Sequence, residues 1–300
     1  MSSISLNPFA SPQVQALPEH RSRGYWASVL QRFLRDPVAV GAAIVVLLLI
    51  VMAVIAPWIT PADPYATSII KRLNPIGTAG LPLGSDELGR DMLSRLMVGA
   101  RLSLFIGITP VLMAFVIGTS IGILAGYAGG HVNTVIMRTI DVFYAFPSVL
   151  LAIALSGALG AGIFNSLVSL TIVFIPQIAR VAESVTAQAR NRDYVEAACA
   201  TGASAFTIVR VHVLGNVLGP IFVYATSLIA VSMILASGLS FLGLGVKPPE
   251  PEWGLMLNTL RTAIYTQPWI AALPGVMIFI TSISFNLLSD GLRSAMDNKG

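Results

Sequence analysis

Few residues in this chain are arranged to do chemistry. The most suggestive are Asp86 with Arg90 and Asp91 with Arg95, two acid-before-base pairs four residues apart. Carboxylates this close could form an acid–base couple, yet each has an arginine one helical turn on, and that register suits a solvated, salt-bridged helix face. Arg138 and Asp141 are three apart and read as an interfacial ion pair or, less simply, as the mark of a transmembrane pathway. A lone cysteine, Cys199, offers neither an internal disulfide nor a thiolate cage. His20, His131 and His212 lie far apart, so no metal-ligand spacing exists. None of Lys71, Lys247 and Lys299 sits in a phosphate-binding G-x-x-x-x-G-K-[ST] loop, and there is no G-x-S-x-G elbow. No catalytic, cofactor or metal set is expected.

The elements that would position these residues are apolar. Only 11% of the 300 residues are charged, against about 25% in a soluble domain, while 55% are hydrophobic. Mean hydropathy is +0.79. Residues 37–62, 102–137, 142–179, 211–246 and 262–289 hold no Asp, Glu, Lys or Arg, and together exceed half the molecule. A soluble fold needs charge on the water-facing side of nearly every element, so the pattern belongs in a bilayer. The net charge of +4 could suggest nucleic acid, but the basic residues form no run. Arginines bordering apolar spans account for them, and no nucleic acid is expected.

A spanning helix needs about 20 apolar residues. The expected spans are 38–58, ending in Pro57-Trp58; 102–127; a pair near 142–160 and 163–180, separated by Gly157, Gly160, Gly162 and Asn165; 220–243; and 269–288. The expected architecture is therefore an all-α integral membrane protein with six transmembrane helices and both termini on one side. Residues 1–37, with Pro8, Pro12, Pro18 and the arginines Arg21, Arg23, Arg32 and Arg35, are too long for a signal-peptide n-region. They read as a cytoplasmic tail before an uncleaved helix. The Lys/Arg bias places both termini in the cytoplasm, although the outer loop 59–101 carries basic residues of its own. Within that loop 83–101 is expected to form a surface helix. The core would then be 102–290, with an inner loop at 181–218 and a C-terminal tail at 291–300.

Two segments carry further information. Gly118, Gly122 and Gly126 share one helix face and allow close backbone approach, either at a subunit interface or inside one bundle. In the inner loop, Asp193-Tyr194-Val195-Glu196 reads as a helix start with Asp193 as N-cap and Glu196 reaching back. Ala197, Ala198, Cys199 and Ala200 continue it, Gly202 stops it, and Ser204 can cap a second helix bearing Phe206, Ile208, Val209 and Val213. An alanine-coated helix of this kind could enter a partner's groove or merely cap the bundle.

Glu196-Ala197-Ala198, three residues and then Gly202 resembles the E-A-A-x-x-x-G loop of bacterial ABC importer permeases. PLGSDELGRDMLSRL at 82–96, RxxDVFYAFPSVLLAIAL at 138–155, LSFLGLGVKPPEPEWG at 239–254 and FNLLSDGLRSAMD at 285–297 are similar to the dipeptide, oligopeptide and nickel group, in the subunit type with a large loop after its first helix. The resemblance covers roughly residues 30–297. It implies the type I importer permease fold in the bacterial inner membrane, a second homologous permease, two cytosolic ATP-binding cassette ATPases (or one fused pair) and an extracytoplasmic solute-binding protein, with lipid around the spans. It also implies that 193–204 is a coupling helix seated in an ATPase groove, with Asp193, Tyr194, Glu196, Ala197, Ala198 and Gly202 as its residues. The substrates it implies are di- or oligopeptides, or else nickel chelates, glutathione or opine-like compounds. His212-Val213-Leu214 is followed by Gly215 where the family usually has proline, so the helix is expected to break there without a fixed φ. A stand-alone secondary carrier is the other class, but no repeat between the halves supports it.

Overall fold

The computed structural model describes residues 25–297, with side chains from Ala27. Arg21, Arg23, His20, Lys299 and the prolines of the N-terminal tail lie outside the described residues. Among those described, every regular element is helical. A short α1 (Tyr25–Phe33) leads into α2 (Pro37–Ile59). Asp36 caps α2 by accepting from the backbone N–H groups of Val38 and Ala39 at 2.9 and 3.2 Å, with Pro37 preset in the first turn. Ala39, Ala42, Val46, Leu49, Ala53 and Ala56 recur every three or four residues and form its buried stripe; its other apolar faces stay exposed for lipid.

The core follows as α3 (Met92–Ala128), α4 (Gly130–Tyr144), α5 (Ser148–Leu159) and α6 (Ile163–Arg190). After them come α7 (Asp193–Ala200), α8 (Ala205–Ile208), α9 (Leu214–Phe241), α10 (Trp253–Thr259) and α11 (Pro268–Met296). Five helices are long and apolar enough to cross a membrane singly. Counted as one span, the pair α4 and α5 makes a sixth, bent by 85° between them. The third span is therefore broken, where the charge pattern alone suggested one helix from 142. Pro147, which has no N–H to continue a helix and disfavours helical backbone at Phe146, is the physical cause.

The expected surface helix at 83–101 is corrected. Residues 83–91 form turns, and Met92 begins α3, which runs unbroken through Ala128. Asp91 sets that start, its Oδ2 accepting from the Ser94 N–H at 2.8 Å and from the Ser94 hydroxyl at 2.6 Å. The turn between α5 and α6 lies where the glycines suggested: Gly160 takes φ +90°, and the Asn165 amide donates to the carbonyls of Leu159 and Gly160 at 2.7 and 2.9 Å.

The glycines of α3 face α6 of the same chain, so the seam is internal packing. A Cβ on Gly118, Gly122 or Gly126 would stand 2.9, 2.5 or 2.7 Å from the carbonyl oxygens of Ile175, Ala179 and Glu183. Small residues every fourth position on one helix thus meet backbone every fourth position on the other.

Candidate functional site

α7 hangs from the end of α6, at the end of the bundle that also holds the α3–α4 turn and the close of α11. Its start differs from the sequence expectation. Arg192 occupies the N-cap position without a side-chain hydrogen bond, and Asp193 is the first helical residue. Asp193 and Glu196 therefore place negative charge in the first turn, where the helix dipole favours it, rather than forming a capping box. The stop is as expected: Gly202 adopts φ +79°, its N–H donating to the Cys199 carbonyl at 3.0 Å while Ala203 N–H reaches back to Ala198 at 3.2 Å. Ser204 caps α8, accepting from the Thr207 N–H at 3.3 Å.

The resulting surface is two-sided. Val195 and Ala198 turn inward, joining Ala189, Ile208 and Val213 in the main core. Ala198, expected to face a partner, is thus an anchoring residue, because it lies three positions after Val195 on the same helical stripe. Asp193, Tyr194, Glu196, Ala197, Cys199, Ala200 and Gly202 remain exposed. Phe206 stands 74% exposed just beyond the turn. Beside α7 runs a groove of about 660 Å³ lined by Gln188, Arg192, Tyr194, Asn216 and Pro220.

Gly215 does not break the chain. Val209–Val213 form a π-helical turn that joins α8 to α9, and the helical path from Ala205 to Phe241 passes straight through Gly215. With only glycine there, no ring clashes with the preceding turn.

At the opposite end, residues that suggested a solvated face form a buried charge cluster. Asp86 and Arg95 are each 2% exposed. Asp86 Oδ2 accepts from Arg90 Nε at 2.6 Å and lies 3.2 Å from Arg95 Nε. Arg90 also donates to Glu87 at 3.1 Å. Arg95 does not pair with Asp91; its Nη1 donates to the carbonyls of Pro64 and Pro249, at 3.0 and 3.4 Å, and so ties the loop after α2 to the loop after α9.

The second loop carries functional-looking residues that sequence reasoning missed. Glu252 caps α10, accepting from the N–H groups of Gly254 and Leu255 at 2.8 Å each and from the Ser103 hydroxyl at 3.2 Å. Burial raises its pKa, opposed by those hydrogen bonds. Trp253 is fully buried, its indole donating to Leu96 at 3.0 Å. Acidic residues alternating with prolines ahead of a tryptophan, at 248–253, were the available signal. Asp141, finally, pairs closely with Arg180 of α6, while Arg138 stands 3.9 Å off and largely exposed.

The bundle has solved structural neighbours among importer permeases. A subunit of the MetNI methionine ABC transporter, in an inward-facing conformation, superposes with a TM-score of 0.57 at 19% identity, covering 68% of this chain and 97% of the other. The family of binding-protein-dependent transport system inner membrane components matches residues 118–299, and the N-terminal transmembrane domain of oligopeptide transport permease C matches residues 24–75. The glutathione transport system permease protein of Pectobacterium atrosepticum is 43% identical over 91% of each chain. The di/tripeptide transport system permease protein of Pseudomonas aeruginosa is 40% identical over 90% of each. The chain belongs to the binding-protein-dependent transport system inner membrane component family, and is a multi-pass permease subunit of a bacterial ABC importer in the inner membrane.

Proposed function

We propose that this permease carries short peptides inward, forming half of a translocation path with a second homologous permease. It has no catalytic step of its own: two ATPase subunits supply the energy, and an extracytoplasmic binding protein delivers the substrate. Both termini and α7 lie in the cytoplasm. The single observation that carries the reading is α7, an eight-residue helix with acidic first turn and alanine face, anchored by Val195 and Ala198 and otherwise exposed between two spans. Asp193, Tyr194, Glu196, Ala197 and the Gly202 turn enter an ATPase groove, so that closure of the ATPases moves α6 and α9 together. The substrate class is supported by the relatives, which are named for glutathione and for di- and tripeptides. Glutathione, itself a modified tripeptide, is the second reading for the same machinery.

Affinity purification of the tagged chain from its own membranes tests the assembly. ATPase subunits and a second permease are expected to co-purify. Recovery of the chain without any ATPase would reject the reading in favour of a stand-alone carrier.

A further inference from the structure

At the end of the bundle opposite α7, a cleft of about 510 Å³ opens between the loop after α2, the first exposed turns of α3 and the loop after α9. That volume lies within the range of small-molecule sites, roughly 300–1,000 Å³. Its polar groups are Tyr65, Arg101 and Glu250, and its apolar wall includes Val98, Phe105 and Ile163. The Tyr65 hydroxyl donates to Glu250 Oε2 at 3.0 Å, which fixes one carboxylate oxygen and leaves the other open. Arg101 is exposed and has no ion pair or hydrogen-bond partner among the described residues.

The scaffold behind these groups is unusually well fixed. Arg95, which precedes Arg101 on α3, donates to the carbonyls of Pro64 and Pro249, the residues immediately before Tyr65 and Glu250. Glu252 and Trp253 then bolt the second loop to Ser103 and Leu96 of α3. Three separate segments are thus locked in register so that a fixed carboxylate and a free guanidinium share one partly apolar cleft. Such support is what holds a binding constellation in place. An arginine that merely reached for headgroups would need none of it.

We propose that this cleft binds the two charged termini of a short zwitterionic peptide as it enters the path, Arg101 taking the carboxylate and Glu250 the ammonium, with the peptide's side chain against Phe105. The assignment rests on the peptide-import reading. It places part of the substrate selection in the permease, upstream of any step the ATPases drive.

The test uses the complete assembly, both permeases with ATPases and binding protein, reconstituted in liposomes, with labelled dialanine as probe. Uptake and binding-protein-stimulated ATP hydrolysis are measured for the parent, Arg101→Gln, Arg101→Lys and Glu250→Gln. The expected result is uptake about tenfold lower in the two glutamine variants, partial recovery in Arg101→Lys, and ATP hydrolysis within about twofold of the parent throughout. Unchanged uptake in both glutamine variants would overturn the assignment, leaving Arg101 an interfacial charge. Loss of uptake together with stimulated hydrolysis would also overturn it, because the residues would then be docking the binding protein. If the parent assembly hydrolyses ATP yet takes up no dialanine, the peptide-import reading fails first, and the site with it.

Discussion

Single side chains in this permease matter chiefly through what they hold. Glu252 caps α10 from a fully buried position. Replacing it by alanine strips two backbone donors and is expected to cost about 2 kcal/mol, whereas glutamine keeps an acceptor and should cost less than half of that. Its pKa is raised from the ordinary 4.5 by burial, so the folded chain holds the proton more tightly than the unfolded one. A raised folded-state pKa gives stability that is present below 4.5 and lost as pH rises through the folded value. The melting temperature of the parent, measured against Glu252→Gln in detergent, should accordingly fall as pH rises; a constant difference would show that Glu252 does not titrate in the fold. Arg95 is a stronger case. Arg95→Met leaves the Pro64 and Pro249 carbonyls without their donor and Asp86 without its second guanidinium neighbour, and a loss of about 3 kcal/mol is expected in the same thermal assay. None of this was legible from spacing. An Asp–Arg pair four apart looks the same whether water or protein covers it, and only the loops brought in from 60–66 and 247–253 decide.

Elements were more readable than their joints. Absence of charge located α2, α3, α6, α9 and α11, since a bilayer penalises charge wherever it falls, but the expected span at 142–160 missed most of α4. The ends of the helices were less visible, because α3 and α6 continue beyond the apolar stretch as ordinary amphipathic helices among protein neighbours. Pro147 marked the bend in the third span, and its signal was overridden by the apolar run around it. The glycine seam was legible as a motif, but its partner was not: only the geometry shows that it meets α6 rather than another subunit. The seam makes a sharp comparison possible. Gly122→Ala forces a Cβ to 2.5 Å from the Ala179 carbonyl and should lower the melting temperature markedly, by about 2 kcal/mol in stability terms. Gly41→Ala and Gly157→Ala, which meet open space, should be neutral or slightly stabilising through helix propensity. At α7, Glu196→Lys should leave insertion and folding intact while reducing ATPase co-purification and uptake together, since the residue is exposed and makes no cap bond. Full transport by that variant would reduce Glu196 to a helix-dipole charge.

The whole molecule is built as a part. Its exposed apolar faces on α2 satisfy lipid, but the Asp141–Arg180 pair does not: Arg180 lies ten residues, about 15 Å, from the end of α6 and keeps nearly half its surface open. An ion pair on the outside of the bundle, at the border of the charge-free stretch 142–179, suits water or another protein chain better than lipid. The same holds at the α7 end, where Tyr194 is 41% exposed beside a groove that no described residue fills. A self-sufficient carrier closes its path within one chain; this one leaves the charges and the grooves on its outside. The purified chain alone in liposomes should therefore take up no dialanine, with or without a membrane potential, ATP or an ion gradient. Adding the second permease, ATPases and binding protein should produce uptake that stops when ATP is withheld. Uptake by the chain alone, saturable and blocked by excess dialanine, would mean that the path is complete within one subunit and that α7 couples to nothing.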